Sequence, residues 1–307
     1  MPTATVSPIE PGPAVTEGFP VEGFPIRYSW HAGEWKAIFD RQTELVRGDV
    51  MRARLEDRMV IYLSVPISKR GGSFEATNVD IAMATERRLL EQWGEAVWVL
   101  NPARYQMESK GGYGLIESHA RAEGIDLAAL LRGGKPSGGD YMRMWTKVLV
   151  EDGDRNLGER FDAYYFLGPS DVDAFFGGPG TATQRIEGYF AAKYATDAAF
   201  RHTYAGKNEI AWGRGDLSSF GPEEWKPLEE WEAARRDFIR FYILRASGNY
   251  SLGSHDEWNT WVLLNRQRLK KFKNDTGRLI PGFFDGRQVD PAAAVTLTSN
   301  GYGVVTP

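Results

Sequence analysis

Hydrophobic and polar positions along this chain switch repeatedly between the short period of strands and the longer period of helices. The segment "RMVIYLSVPIS" (58–68) is almost continuously apolar and rich in β-formers, which is typical of a strand buried on both faces. Segment 73–94 then repeats apolar residues at helical spacing, and "AVWVLNPARY" (96–105) is a second strand. A strand, a helix and a strand in this order predict two parallel neighbours joined by a right-handed crossover.

The same alternation continues through the middle of the chain. A Gly-rich segment, 106–135, predicts an insertion with short helical pieces, and a helix begins at "GGD" (138–140). A third strand is predicted in "FDAYYFLG" (161–168), and a further helix in "GPGTATQRIEGYFAAK" (178–193). Strands that alternate with helices predict an α/β fold, with a parallel sheet flanked by helices.

Three regions follow from these patterns. Residues 1–27 are rich in proline and glycine, which predicts a flexible arm. Residues 28–205 carry the α/β pattern and form the catalytic-type domain. Residues 206–307 contain two long amphipathic helices and a Gly/Pro/Ala-rich tail, so we expect a mainly helical C-terminal extension packed on the α/β domain.

Composition removes several classes of function. The chain has 307 residues, a net charge of -4, no cysteine and four histidines far apart, so thiolate catalysis is excluded and no metal or redox cofactor is expected. No basic footprint for a polymeric nucleic acid is present. The longest apolar run, 59–67, is too short to span a membrane, and the first residues lack a signal-peptide pattern. We therefore expect a cytoplasmic protein.

In an open parallel sheet, ligands bind outside the carboxyl ends of the strands. Three predicted loops lie there: "SVPISKRGG" after the first strand, "NPARY" after the second, and "GPSD" with the turn before Glu187 after the third. These loops carry polar side chains and glycines in positions that suit a small ligand. The sequence therefore predicts a small-molecule site at this edge.

The order of these motifs resembles the nucleoside 2-deoxyribosyltransferase superfamily, which includes nucleotide N-glycosidases. The resemblance rests on "IYLSVPIS", the Gly-containing loop after it, the "GGD" helix and a Gly-led helix with a glutamate, and it covers about residues 59–195. It implies a Rossmann-like fold of the deoxyribosyltransferase type. It also implies cleavage or transfer of an N-glycosidic bond in a nucleoside or nucleotide, in a homo-oligomer.

The resemblance assigns roles to particular positions. Glu187 becomes the nucleophile on the anomeric carbon, and Asp140 a supporting acid or base. The implied sugar or phosphate contacts after the first strand are Ser64, Ser68, Arg70, Gly71 and Gly72. The remaining substrate-binding candidates are two side chains of the "GGD" helix and three polar or aromatic residues in the other loops, namely Tyr141, Trp145, Asn101, Tyr105 and Gln184.

Two positions depart from the family's pattern. Gly188 follows Glu187 directly, where the family places one residue between them, and Lys147 stands near the position of a pocket aspartate. We expect Gly188 to permit close approach of the sugar or of a neighbouring strand. Two alternatives stay open: an NAD-cleaving glycohydrolase, and a non-catalytic nucleotide-binding or interaction module on the same fold.

Overall fold

The computed structural model describes residues 14–67, 73–108, 114–153, 155–205, 222–245, 251–292 and 296–306. The strands in these ranges are β1 (Val15–Gly18), β2 (Ile26–His31), β3 (Met59–Ser64), β4 (Val97–Leu100), β5 (Ala163–Phe166), β6 (Gly282–Phe284), β7 (Arg287–Val289) and β8 (Val304–Val305). The helices are α1 (Glu34–Leu55), α2 (Glu75–Trp93), α3 (Gly114–Ala122), α4 (Leu127–Gly133), α5 (Gly138–Val150), α6 (Pro169–Phe176), α7 (Ala182–Thr196), α8 (Ala198–Ala205), α9 (Pro222–Leu244) and α10 (Leu252–Lys271).

The central sheet has five strands in the order β4-β3-β5-β6-β7. Strands β3, β4, β5 and β6 run parallel, as predicted for the first three, and β7 pairs antiparallel with β6. The expectation of a parallel sheet is therefore wrong at this edge, and the sheet is mixed. The cause is a hairpin at Asp285 and Gly286, whose φ angles of 54° and 76° suit a tight turn between antiparallel strands.

Helices cover both faces of this sheet. Side chains of β3 alternate, so that Val60 and Tyr62 join the core under α1, α5 and α10, whereas Ile61 and Leu63 join the core under α2, α6, α7 and α9. The strand order changes direction at β3. The first crossover places β4 on one side of β3, and the second crossover places β5 on the opposite side of β3. Such a reversal opens a crevice at the carboxyl ends of the strands.

The first described residues differ from the flexible arm that their prolines and glycines predict. Strands β1 and β2 pair antiparallel, and β8 from the C-terminal end adds to β2. Ile26 and Tyr28 are buried in the core beside Val21 and Phe24, while Arg27 is exposed. This part of the chain belongs to the packed structure; the start of the predicted arm, residues 1–13, lies outside the described residues.

Most predicted helices are found close to their expected bounds. Helix α2 ends before Gly94, whose φ of 78° provides the C-cap, and α5 begins at Gly138. Helix α6 was not predicted. The Gly/Pro/Ala-rich tail of the predicted helical extension contributes the strands β6, β7 and β8. Among the described helices, none is long and apolar enough to cross a membrane.

Candidate functional site

A cavity of about 270 Å³ opens at the carboxyl ends of β3 and β4, where the chain reversal predicts a crevice. The residues after these strands form one side of it, and the first turns of α5 and α10 form the other. Its aromatic and thioether side chains are Tyr105, Tyr141, Trp145, Tyr302, Met107, Met142 and Met144, and its acidic and hydroxyl side chains are Glu75, Glu108, Glu257, Ser251 and Ser254.

Glu257 is the most unusual polar group of the cavity. It lies on α10 and is 5% exposed, and its carboxylate accepts hydrogen bonds from the Tyr62 hydroxyl at 2.6 Å and from the Ser64 hydroxyl. Burial raises the pKa of Glu257 from 4.5 to about 7, although the hydrogen bonds from Ser64 and Tyr62 oppose the rise. A carboxyl group with this pKa exchanges a proton readily near neutral pH, which suits acid or base chemistry.

Ser254 lies one helical turn before Glu257, so both side chains share a face of α10. Its backbone N–H donates to Ser251 Oγ, which caps the helix, at 3.3 Å. Its own hydroxyl is buried and has no hydrogen-bond partner among the described residues. Because buried hydroxyls are normally paired, Ser254 Oγ is a group that a bound ligand would satisfy.

Aromatic rings form the walls around these polar groups. Trp145 and Tyr105 have ring centroids 6.5 Å apart with planes at 79°, so they form two walls that meet nearly at a right angle. The Tyr141 hydroxyl donates to Glu108 at 3.4 Å. Tyr302 closes the cavity from the C-terminal segment and lies directly over Gly138, where an added Cβ would meet the Tyr302 ring at 2.1 Å.

Asp256, which precedes Glu257 on α10, holds the C-terminal segment 301–303 in place. The buried carboxylate of Asp256 accepts hydrogen bonds from the backbone N–H groups of Gly301, Tyr302 and Gly303, at 3.1, 2.8 and 3.1 Å. Burial raises the pKa of Asp256 from 3.8 to about 7, against the effect of these N–H donors. One turn of α10 therefore carries the Glu257 carboxyl group and also holds the segment that carries Tyr302.

No relative places this site in a known class. Comparisons with family models, with curated proteins and with solved structures found no match for this chain. Its chemistry is therefore inferred from the arrangement of its own side chains.

The structure brings several sequence-predicted residues to the cavity. Tyr105, Tyr141 and Trp145 line it, and Ser64 reaches it through its hydrogen bond to Glu257. Asn101 is fully buried behind the lining and accepts a hydrogen bond from the N–H of Ala103, which caps the short 3₁₀ turn that carries Tyr105. Asn101 therefore fixes the turn that presents Tyr105 to the cavity.

Asp140 serves the fold at the start of α5. It is 2% exposed and accepts hydrogen bonds from the Ser137 N–H and hydroxyl and from the His31 N–H, at 2.7, 2.8 and 2.7 Å. Nδ1 of the His31 ring lies 2.8 Å from Asp140 Oδ2, the oxygen that also accepts the two Ser137 hydrogen bonds. Asp140 does not line the cavity; it is the third residue of α5, closes a capping box with the N-cap Ser137 and ties α5 to β2.

Glu187 and Gln184 lie on α7, on the opposite face of the sheet from α10. Glu187 is exposed and pairs with Arg235, and Gln184 closes a capping box with Thr181. Neither residue lines the cavity. The close approach expected at Gly188 is absent among the described residues, since an added Cβ there would meet no atom within 4 Å.

The predicted loop contacts Ser68, Arg70, Gly71 and Gly72 lie outside the described residues. Lys147, at the position of the family's pocket aspartate, lies 3.5 Å from Asp40 on α1. It therefore belongs to an ion-pair cluster between α1 and α5.

Sequence reasoning missed Glu257 and Ser254. A signal was present in "SLGSHDEW" (251–258), where Ser251, Ser254 and Glu257 recur every three residues at the start of an amphipathic helix. This spacing places the three side chains along one helical face, and serine at the first position is a typical cap.

Proposed function

We propose that this protein cleaves or transfers the N-glycosidic bond of a nucleoside or nucleotide, with Glu257 as the carboxylate at the reacting carbon. The observation that carries the proposal is the burial of Glu257 at the base of an aromatic cavity, with a pKa raised to about 7. The resemblance of residues 59–195 to nucleoside deoxyribosyltransferases implies N-glycosidic chemistry but places the carboxylate at Glu187, so the role of Glu257 is argued from the cavity alone.

Cleavage of an N-glycosidic bond needs a carboxylate near the anomeric carbon and a binding surface for the planar base. When an N-glycosidic bond breaks, positive charge builds up at the anomeric carbon, and a carboxylate beside it stabilises that charge or attacks the carbon. Glu257 supplies the carboxylate, and the Tyr62 and Ser64 hydroxyls fix its orientation. The faces of Tyr105 and Trp145 suit a planar base.

Hydrolysis and transfer differ only in the acceptor. Water gives a free sugar, whereas a second base gives a new nucleoside. In either reaction the ionised form of Glu257 is the active one, so activity rises with pH through an apparent pKa of about 7.

The size of the cavity bears on the alternative substrate. At about 270 Å³ it lies below the range of about 300–1,000 Å³ for drug-sized ligands. This volume is closer to that of a nucleoside than to that of a dinucleotide, and NAD cleavage stays the alternative that the base-release experiment tests. The nucleophilic role of Glu187 stays a prediction, and its exposed ion pair with Arg235 gives it neither burial nor a pocket.

Base release tests the proposal directly. The full-length chain is incubated with ribo- and deoxyribonucleosides, their monophosphates and NAD, and free bases are measured by liquid chromatography and mass spectrometry. We expect release by the wild type and by Glu187→Gln, and a loss of about 100-fold or more in Glu257→Gln, the usual scale for an acid–base group. No release from any compound would overturn the proposal, and a loss confined to Glu187→Gln would return the carboxylate role to α7.

The resemblance also implies a homo-oligomer. This stays a prediction, which light scattering on the purified chain tests.

A further inference from the structure

We propose that the Ser254 hydroxyl binds the 2′-hydroxyl of the substrate sugar, so that the cavity selects ribonucleosides over 2′-deoxyribonucleosides. This inference rests on the proposed function and names the sugar of its substrate. It differs from what the resemblance alone implies, because a deoxyribosyltransferase acts on a sugar that lacks this hydroxyl.

The Ser254 hydroxyl is an unused hydrogen-bonding group inside the fold. Ser254 is 1% exposed and lines the cavity, and its Oγ has no hydrogen-bond partner among the described residues. A serine within a helix often donates to the C=O group four residues earlier. Ser254 is the third residue of α10, so no preceding helical turn supplies that acceptor. Because a buried hydroxyl normally has a partner, this one indicates a polar group of a ligand.

The position of Ser254 relative to Glu257 selects the part of the ligand that it contacts. The two residues are three positions apart on α10, so their side chains lie on one helical face with Cβ atoms about 5–6 Å apart. With the Glu257 carboxylate at the anomeric carbon, a group bound to Ser254 lies close to that carbon. Among the sugar hydroxyls, only the 2′-hydroxyl is attached to the carbon next to the anomeric one.

The direction of the preference follows from the burial of the Ser254 hydroxyl. The unliganded fold already contains the cost of keeping this hydroxyl away from water. A ribonucleoside gives it a partner, whereas a 2′-deoxyribonucleoside leaves it without one. Sites that hydrogen-bond a substrate hydroxyl discriminate strongly against analogues that lack it. In glycoside cleavage, hydrogen bonds to this hydroxyl strengthen in the transition state, so the preference is larger in kcat/KM than in binding.

Matched ligands test the sugar preference. Binding to the full-length chain is measured by titration calorimetry for adenosine, guanosine, cytidine and uridine and for their 5′-monophosphates, each beside its 2′-deoxy form. We expect the ribose form of the best-bound base to bind about tenfold or more tightly than its 2′-deoxy form, the scale of one buried hydrogen bond. The 3′-deoxy form of that ligand is the control, because it retains the 2′-hydroxyl.

The substitution Ser254→Ala assigns the preference to this residue. We expect the ribose form and its 3′-deoxy form to bind about tenfold more weakly to the variant, while the 2′-deoxy form binds as before. The matched control is Thr260→Val on the same helix. Within the part of the chain that the structure describes, the buried Thr260 hydroxyl also has no partner, but Thr260 does not line the cavity. The control should leave all affinities unchanged.

The outcomes separate this inference from the proposed function. Equal affinity for the two sugars, tighter binding of the 2′-deoxy form, or a ribose preference that survives Ser254→Ala would overturn the inference even if bases are released. A ribose preference that depends on Ser254, without base release, would support the inferred contact and overturn the glycosidase proposal. Absence of binding by every ligand would overturn the inference.

Discussion

The buried carboxyl group of Glu257 makes stability depend on pH in a direction opposite to that of most surface acids. Its pKa is raised from 4.5 in the unfolded chain to about 7 in the folded one. Between these two values the folded state holds a proton that the unfolded state has released. The free energy of unfolding therefore falls as pH rises through this window, and the contribution of the protonated group is fully lost above about pH 7.

The size of the effect follows from the shift. At about 1.4 kcal/mol per pKa unit, the rise from 4.5 to about 7 corresponds to about 3 kcal/mol. As pH rises from about 5 to about 8, the contribution of Glu257 lowers the free energy of unfolding by about 2.5 kcal/mol. Asp256 has a similar rise, from 3.8 to about 7, so the wild type loses stability through two groups in the same window.

The substitution Glu257→Gln removes the pH-dependent contribution of Glu257 to the free energy of unfolding. The glutamine amide does not titrate, so the variant keeps only the Asp256 contribution, and its unfolding free energy falls less steeply with pH. At acidic pH the variant and the wild type have similar stability, because the glutamine amide and the protonated carboxyl group each offer one carbonyl acceptor and one donor to the Tyr62 and Ser64 hydroxyls. At alkaline pH it is more stable than the wild type.

The assay is urea unfolding followed by tryptophan fluorescence over this pH range. We expect the difference in unfolding free energy between variant and wild type to change by about 2.5 kcal/mol in favour of the variant as pH rises from about 5 to about 8. The matched control is Glu187→Gln, whose exposed pair with Arg235 predicts a small and flat difference. Parallel curves for Glu257→Gln and wild type would refute the raised pKa, and with it the argument for acid–base chemistry at this residue.

Three further substitutions test the local structure. Gly188→Ala should raise the free energy of unfolding by about 1 kcal/mol in urea titrations, because a Cβ there meets open space on a helix; destabilisation would indicate a close neighbour. Gly138→Ala should displace the Tyr302 ring and weaken nucleoside binding in calorimetry, and unchanged affinity would argue against Tyr302 as a wall. Asp140→Ala should lower the thermal midpoint, by a loss of about 2 kcal/mol, since it removes a cap and the tie to His31; a lost base release in a folded variant would instead indicate a catalytic role.

Local sequence patterns were enough to predict the strands and helices whose signals lie within one segment. The strand at 59–64 and the helix at 75–93 have uniform periodicity and clear ends, and both are found. In β2, however, Ile26, Tyr28 and Trp30 are buried in strict alternation with exposed residues, and the prolines and glycines nearby concealed this strand signal. The hairpin of β6 and β7 also had a local signal, an Asp-Gly pair directly after the apolar stretch at 283–284.

The residues of the candidate site also differ in whether a local sequence signal indicated them. Tyr141 and Trp145 were predicted through the resemblance, which assigns the "GGD" helix to the pocket, and Tyr105 because it follows a strand end; all three line the cavity. The spacing of Ser251, Ser254 and Glu257 indicated a shared helical face, but it could not reveal the burial of Glu257, because its partners Tyr62 and Ser64 lie 195 and 193 positions away along the chain. Its burial comes from packing α10 on β3, a contact that no local period encodes.

The arrangement of α10 suggests why two adjacent acids are buried together. Successive helix positions point about 100° apart, so Asp256 and Glu257 face different neighbours from the same turn. Asp256 holds the backbone of 301–303, and through it the Tyr302 wall, while Glu257 faces Tyr62 and the cavity. One turn of α10 therefore positions both the Glu257 carboxyl group and the segment that carries the Tyr302 wall of the cavity.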